Sequence, residues 1–325
     1  MNSPIQWLLE GPAYIQYRTR VDLLQQPEND PDVQASRLAM IRQPEVIRLV
    51  ESIQNWPGKP LSSHKSASQP FHTLNFLTDL GLKHTDAGMQ VVCDRVMDSA
   101  SLEGPFRLPI NIGLSRGGTG QDTAGWALCD APNLVYALVK LGYGNHPSVQ
   151  KAIAYLLSIV QDFGWPCVVS KELGSFHGPG RRDDPCPYAN LVMLKVIGLF
   201  PDLHNHPAAV TGIRTLLQLW HNRRELHPYI FYMGTDFCKL KAPLIWYDIL
   251  HVMDVLSVFE QAKKERDYLD MLSIITSKAR PDGGFMPESI YLPYKAWDFG
   301  QKKQPSRWLT LLIYRIMSRS DIKPH

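Results

Sequence analysis

Six prolines recur along the chain at intervals of 55 to 62 residues, and each is followed by an apolar segment with helical spacing. A recurring period of this size is typical of repeat architectures built from one supersecondary unit. Proline fits the first turn of a helix, because its missing N–H would have no partner there. The prolines that predict helix starts are Pro12, Pro70, Pro132, Pro187, Pro243 and Pro305.

More amphipathic segments lie between these apolar helices, at 44–56, 146–165, 206–224 and 266–279. Little of the chain alternates polar and apolar residues with a period of two, which argues against β-strands. The sequence therefore predicts an all-α fold of about six helical hairpins, each with one buried inner helix and one half-exposed outer helix. Such hairpins either stack as an open solenoid or close into a ring, and periodicity does not separate the two.

The composition is that of a globular protein without an overall electrostatic specialisation. The 325 residues are 44% apolar, and 34 basic residues against 31 acidic ones give a formal net charge of +3. This balance does not favour nucleic acid or an anionic membrane as a partner. The most apolar stretch, 244–259, carries two aspartates and a histidine. No transmembrane segment is therefore predicted, while peripheral membrane contact stays open.

The cysteines indicate a reducing compartment. They stand at positions 93, 129, 167, 186 and 238, an odd number at irregular spacing. The N-terminal residues lack a basic region followed by a long apolar run. We therefore expect reduced thiols and a cytoplasmic protein.

Short segments near the ends of the outer helices resemble motifs of a known superfamily. LEGPF at 102–106, QDFGW at 161–165 and PDGGF at 281–285 resemble degenerate forms of the glutamine–aspartate–glycine–tryptophan motif that closes repeats in squalene and hopene cyclases. Residues 125–142 resemble the helix entry that holds the catalytic acid of oxidosqualene cyclases, where aspartate and cysteine are neighbours. The resemblance is to the terpenoid cyclase and protein prenyltransferase superfamily. It implies a single α/α toroid domain over residues 1–325, with parallel inner helices and the chemistry at one end of the barrel.

If the inner helices are parallel, the loops before them converge on one rim. Those loops, at 62–69, 115–123, 177–186, 233–242 and 297–304, are rich in glycine and basic residues. Helix N-termini expose unpaired N–H groups, so such a rim would attract a phosphate, a diphosphate or a carboxylate. The alternative is that these residues only serve turns and caps. The candidate anion-binding residues are Arg116, Arg181, Arg182, Lys239, Lys241, Lys302 and Lys303.

Four aspartates are candidate catalytic acids. Asp130 adjoins Cys129, Asp184 adjoins Asp183, and Asp248 interrupts an apolar helix. A carboxylic acid that burial keeps protonated can donate its proton, and two adjacent carboxylates separate their pKa values. By resemblance to class II terpenoid cyclases, Asp130 or Asp184 would protonate an alkene or an epoxide, although the full aspartate-x-aspartate-aspartate motif is absent. The alternative role for both residues is that of a helix cap.

A zinc site is the second interpretation of the same region. Thiolate, carboxylate and imidazole are the ligands that zinc takes. Asp184 and Cys186 resemble the aspartate-x-cysteine zinc motif of prenyltransferase β subunits, and His251 follows as the implied histidine ligand. Alignment of the repeats, however, pairs Cys186 with Ala242 and places His251 about 12 Å deeper along its helix, where it would be a core histidine. Further candidate ligands are Asp236 and Cys238.

Aromatic residues recur near the starts of the inner helices. Faces turned toward a lumen would stabilise a cation or pack an isoprenoid chain, whereas core packing is the alternative. The candidates are Tyr136, Tyr188, Trp246, Tyr247, Trp297 and Trp308.

The sequence is compatible with three functions. The leading prediction is an enzyme that binds an apolar or amphiphilic, isoprenoid-like small molecule, with an aspartate as general acid and a basic rim for an anionic head group. The second is a zinc-dependent, prenyltransferase-like transferase that uses Asp184, Cys186 and His251. The third is a noncatalytic toroid that binds a small ligand or a partner protein.

Overall fold

The computed structural model describes residues 4–61 and 63–322, and within them the chain is mostly helical. This confirms the helical part of the predicted fold. The α-helices are α1 Pro4–Leu9, α2 Ala13–Arg18, α3 Pro31–Ile41, α4 Pro44–Ser52, α5 Pro70–Leu80, α6 Met89–Met97, α7 Ala131–Leu138, α8 Pro147–Ser158, α9 Pro187–Ile197, α10 Pro207–His221, α11 Ile249–Leu256, α12 Glu260–Lys263, α13 Arg266–Thr276 and α14 Arg307–Arg319.

A small antiparallel sheet departs from the all-α prediction. Strands β1 (Leu108–Asn111) and β2 (Asp122–Gly125) pair with Leu108 opposite Gly125 and Asn111 opposite Asp122. In β1, Leu108 and Ile110 are buried, and the residue after each is less buried. A period-two pattern over only four residues is too short to stand out in the sequence.

Five of the predicted prolines lie at helix starts within the described residues. Pro70 and Pro187 are the first residues of α5 and α9, and Pro132 is the second residue of α7. Pro12 is the N-cap of α2, and Pro305 directly precedes Ser306, the N-cap of α14. In each case the proline stands where no intrahelical N–H is required.

The predicted helix start at Pro243 is wrong. Helix α11 begins at Ile249, and its N-cap is Asp248, whose side chain accepts the His251 N–H. Asp248 therefore holds in α11 the position that Cys186 holds in α9. The pairing of Cys186 with Ala242 is wrong for the same reason, because His251 lies in the first turn of α11 and not two turns deeper.

The chain forms two compact units. The first consists of the residues up to Leu49, Asp79–Gly81 and the residues from Gly234 onward. The second consists of Val50–Thr78 and Leu82–Met233.

In the second unit, two apolar helices form the core. Every residue of α7 and of α9 is buried. Helix α9 packs against both α7 and α10, and α7 also packs against α8. Helices α8 and α10 bury one face each, so this unit has the predicted pairs of a buried and a half-exposed helix.

In the first unit, helix α11 is buried along its whole length and packs against α13 and α14. Helix α14 also contacts α2. A buried ion cluster joins these elements: Arg315 Nη2 lies 2.7 Å from Asp254 Oδ1, and Arg315 Nη1 lies 3.2 Å from Asp22 Oδ2. Asp22 also pairs with Arg18.

Among the described residues, no helix has both the length and the apolar character needed to cross a bilayer.

Candidate active site

Asp130 is the N-cap residue of α7, is fully buried and makes no side-chain capping hydrogen bond. Its Oδ1 accepts the N–H of Ala127 at 3.1 Å. Its Oδ2 accepts no hydrogen bond from the described residues and lies 3.4 Å from Nδ1 of His64. Asp130 therefore holds the predicted N-cap position, but its carboxyl group does not bond the N–H groups of the first turn. Burying a carboxyl oxygen without a hydrogen-bond partner costs free energy.

His64 lies in the loop before α5 and connects Asp130 to solvent. Its side chain is 20% exposed, whereas that of Asp130 is 0% exposed. The backbone of His64 is held in place by His72, whose Nε2 donates to the His64 carbonyl at 2.7 Å. The imidazole is therefore open to water on one side and faces the buried carboxyl group on the other.

A line of polar side chains fixes the first halves of three buried helices against one another. Asn75 of α5 donates to Oδ1 of Asn133 in α7 at 2.8 Å. Asn133 Nδ2 in turn donates to the Cys129 carbonyl at 2.9 Å and lies 3.4 Å from the hydroxyl of Tyr188 in α9. Within the second unit, these bonds therefore link the middle of α5 to the first turns of α7 and α9.

Three cysteine thiols meet beside Asp130. The side chain of Cys129 neighbours those of Cys167 and Cys186. Cys186 is the N-cap of α9, and its side chain makes no capping hydrogen bond. The neighbouring Cys129 thiol and the backbone N–H groups of Tyr188 and Ala189 lower the pKa of Cys186 against the effect of burial. The neighbouring Cys167 and Cys186 thiols, together with burial, raise the pKa of Cys129.

Asp183 and Asp184 lie in a loop that a tyrosine holds in place. Asp183 is exposed, and Asp184 Oδ2 accepts the Arg181 N–H at 3.2 Å, which closes a turn. The Tyr229 hydroxyl lies 2.9 and 3.0 Å from the carbonyls of Arg181 and Asp184. Arg181 and Asp184 line a cavity of about 460 Å³ together with residues of α10, including Thr215.

Asp248 in the first unit is buried and serves as a helix cap. Its Oδ1 accepts the His251 N–H at 3.0 Å, and its Oδ2 lies 3.9 Å from Lys241 Nζ. Burial raises the pKa of Asp248 to about 7, although Lys241 opposes the shift. His251 Nδ1 lies 3.0 Å from the Trp246 carbonyl, so the imidazole is engaged with its own helix start.

The predicted anion-binding residues differ in exposure and in pairing with aspartates. Lys241 is buried beside Asp248, and Lys239 pairs with Asp236 at 3.1 Å. The other five are exposed: Arg116, Arg181, Arg182, Lys302 and Lys303.

Five of the six predicted aromatic residues are buried, two of them in the second unit and three in the first. Lys195 Nζ lies 4.2 Å from the centre of the Tyr136 ring, so this ring already packs against a cation. Tyr14 packs against Trp297 and Trp308, with ring centroids 5.1 and 6.0 Å apart. Tyr188 and Tyr247 are also buried, and Trp246 is half-buried.

Three polar groups were not singled out from the sequence: His64, Cys167 and Asp298. Asp298 lines a cavity of about 560 Å³ in the first unit, together with Trp7 and Arg307. Its Oδ2 accepts the Ser306 hydroxyl at 2.8 Å, and its Oδ1 has no hydrogen-bond partner among the described residues. Burial raises the pKa of Asp298. His64 and Asp298 lie in two of the loops that the sequence predicts to precede inner helices. No sequence motif distinguishes either residue within its loop.

The described residues contain no group of three or more histidine, cysteine, aspartate or glutamate side chains placed to hold a metal ion. Of the predicted zinc ligands, Asp184 and Cys186 belong to the second unit, and Asp236, Cys238 and His251 belong to the first. The zinc site thus remains a prediction from the sequence.

No protein-family model and no curated protein matches the chain. Among solved structures, a protein from Actinoplanes is similar over 95% of this chain and 89% of its own, with 13% identity and a TM-score of 0.42. A glycosidase variant covers 86% of this chain and 99% of its own, with 12% identity and a TM-score of 0.27. A second glycosidase variant, in complex with glucose, has 11% identity and a TM-score of 0.26. At these TM-scores, the likeness assigns neither a fold nor an activity.

Proposed function

We propose that the chain is an enzyme of the terpenoid cyclase type, in which Asp130 donates a proton to an apolar, isoprenoid-like substrate. The proposal includes the closed α/α toroid over residues 1–325, with the substrate in its lumen. One observation carries it. Asp130 is a buried carboxyl group whose Oδ2 has no hydrogen-bond partner among the described residues and faces the partly exposed imidazole of His64.

Comparison with the other predicted acids favours Asp130. Asp248 is committed to capping α11, and Asp184 closes a turn through the Arg181 N–H. Asp183 is exposed to water and therefore does not lie in an apolar site. Asp130 and Asp248 are both fully buried, and each has an Oδ2 without a hydrogen-bond partner among the described residues. The Oδ2 of Asp130 faces the imidazole of His64, whereas the Oδ2 of Asp248 faces the ammonium group of Lys241, which favours the ionised carboxylate.

The geometry supports a proton cycle through two residues. Protonated Asp130 transfers its proton to a substrate carbon or epoxide oxygen, which forms the new C–H or O–H bond and leaves a carboxylate. A protonated His64 at 3.4 Å stabilises that carboxylate and returns a proton to it. His64 then recovers its proton from water, because its side chain is partly exposed.

The anionic head group of an amphiphilic substrate would be held by exposed basic residues of the second unit, Arg116, Arg181 and Arg182. Arg181 is the best placed of these because it lines the cavity of about 460 Å³. Tyr188, whose hydroxyl lies close to Asn133, would form the apolar wall near Asp130.

The test is turnover of squalene, squalene epoxide and geranylgeranyl diphosphate by the purified full chain, followed by mass spectrometry of the products. We expect Asp130→Asn to reduce turnover by at least about 100-fold, since general acid catalysis contributes about 10² to 10⁴. His64→Gln should slow turnover less and change its pH profile. Asp183→Asn, at an exposed aspartate outside the site, is the matched control and should keep full activity. A folded Asp130→Asn variant with full turnover would refute the assignment.

A further inference from the structure

We propose that the cavity of about 560 Å³ in the first unit binds a free basic amino acid, whose carboxylate is held by Arg307 and whose ammonium groups are held by carboxylates of the lining. Asp130, the acid of the proposed function, belongs to the second unit. Binding at this cavity is therefore a further property of the chain, which does not depend on proton donation by Asp130.

The cavity is lined by the N-terminal helix and by the segment between α13 and α14. Trp7 lies in α1, and Glu10 follows that helix. Asp282 and Asp298 lie between α13 and α14, and Arg307 is the first residue of α14. These five residues all belong to the first unit, so the cavity lies within it.

The guanidinium group of Arg307 is fixed in orientation and still has hydrogen-bond donors to offer. Its Nε donates to the Trp7 carbonyl at 3.0 Å, and its Cζ lies 4.7 Å from the centre of the Trp7 ring. A Cβ on Gly11 would lie 2.6 Å from Cδ of Arg307, so the side-chain stem is confined as well. Among the described residues, the terminal nitrogens of Arg307 make no hydrogen bond or ion pair. A planar fork held in this way suits a carboxylate, which it binds through two parallel hydrogen bonds.

The N–H groups at the start of α14 are already bonded within the protein. Asp298 Oδ2 accepts the Trp308 N–H at 3.1 Å and the Ser306 hydroxyl at 2.8 Å. The Ser306 hydroxyl oxygen accepts the Leu309 N–H at 3.1 Å. The positive charge that this cavity offers to a ligand therefore comes from the Arg307 side chain and not from the helix N-terminus.

Carboxyl groups outnumber the single guanidinium group in the lining. Glu10 and Asp282 are exposed to water at the cavity. Asp282 Oδ1 accepts the Gly284 N–H at 3.0 Å, and Asp282 Oδ2 lies 3.6 Å from Nε of the exposed Arg280. Asp298 adds a third carboxyl group, whose buried Oδ1 has no hydrogen-bond partner among the described residues.

These charges select a ligand that carries both signs. A purely anionic ligand would face the carboxylates of Glu10 and Asp282, and a purely cationic ligand would face the guanidinium of Arg307. One carboxylate and two ammonium groups match this lining, and a basic amino acid carries that set. Trp7 supplies apolar surface for the methylene groups between the charged ends, and small-molecule sites commonly have volumes of about 300 to 1,000 Å³.

The experiment is isothermal titration of the purified full chain with L-lysine, for which we expect saturable binding with a Kd below about 1 mM. Two related probes each lack one kind of charge. 1,5-Diaminopentane has no carboxylate, and Nα,Nε-diacetyl-L-lysine has no ammonium group. Both should bind at least about tenfold more weakly than L-lysine, because each leaves a charged group of the lining without its partner. L-Glutamate, with the opposite net charge, should also bind at least about tenfold more weakly.

Three variants assign the contacts to residues. Arg307→Gln should weaken binding of L-lysine by at least about tenfold and leave the affinity for 1,5-diaminopentane unchanged, because that probe has no carboxylate. Asp282→Asn keeps an acceptor for the Gly284 N–H and should weaken binding of both probes. Lys302→Gln, at an exposed lysine outside the lining, is the matched control and should bind L-lysine as the native chain does. Circular dichroism checks that each variant is folded, and Asp282→Asn and the probe series remain decisive if Arg307→Gln is not.

Three results would overturn the proposal. The first is no saturable binding of L-lysine up to about 10 mM. The second is equal affinity of the native chain for L-lysine and 1,5-diaminopentane, or an unchanged affinity for L-lysine in folded Arg307→Gln or Asp282→Asn. The third is binding of glucose without binding of L-lysine, which would assign the cavity to a neutral polyol.

Discussion

The buried carboxyl group of Asp248 makes stability of the chain depend on pH in a way that one substitution can isolate. The pKa of Asp248 rises from 3.8 to about 7 on folding, because burial disfavours the carboxylate. A group whose pKa is higher in the folded state stabilises that state below its unfolded pKa. This contribution is lost as the pH rises toward the folded value. The relevant window therefore runs from about pH 4 to pH 7.

The magnitude follows from the size of the shift. Each pKa unit corresponds to about 1.4 kcal/mol, so a rise from 3.8 to about 7 amounts to a loss of roughly 4 kcal/mol across the window. Asp248→Asn keeps an oxygen that can accept the His251 N–H at the helix start but cannot ionise. The stability of the variant should therefore not fall through this residue as the pH rises.

The assay is urea unfolding of the native chain and of Asp248→Asn at pH 4, 6 and 8, followed by circular dichroism. Other groups titrate in both proteins, so the difference between their unfolding free energies isolates Asp248. Relative to native protein, we expect the variant to gain roughly 4 kcal/mol between pH 4 and pH 8. Asp183→Asn, at an exposed aspartate, should follow the native curve. If native protein and Asp248→Asn lose stability in parallel, burial does not raise the pKa of Asp248 in the folded state and the prediction is refuted.

Two further substitutions test the packing of each unit. Arg315→Met should destabilise the first unit by about 3 kcal/mol, because Asp254 loses its buried partner at 2.7 Å, whereas Arg280→Met at an exposed ion pair should change little. Gly164→Ala should cost about 2 kcal/mol, since φ is +100° and the added Cβ meets Asn190. Gly234→Ala, with nothing within 4 Å of the added Cβ, is its control. Denaturant unfolding measures the stability of all four variants. A Gly164→Ala variant as stable as the native protein would contradict the prediction for that glycine.

The sequence predicts the helices well because their signals are local. A proline and an apolar 3.6-residue pattern lie within the same few residues that form the first turns, as at Pro70 and Pro187. Pro243 carries the same signal, yet α11 starts six residues later at Ile249. The buried Asp248 side chain, by accepting the His251 N–H, sets the helix start in place of the proline.

The candidate site is predicted only in part because its contacts are long-range. Asp130 and Cys129 stand out by their own positions before α7. Their partners His64 and Cys167 do not, because nothing in the intervening sequence indicates which loop will reach Asp130 or Cys129. Tertiary packing, through links such as Asn75 to Asn133, decides which loops meet.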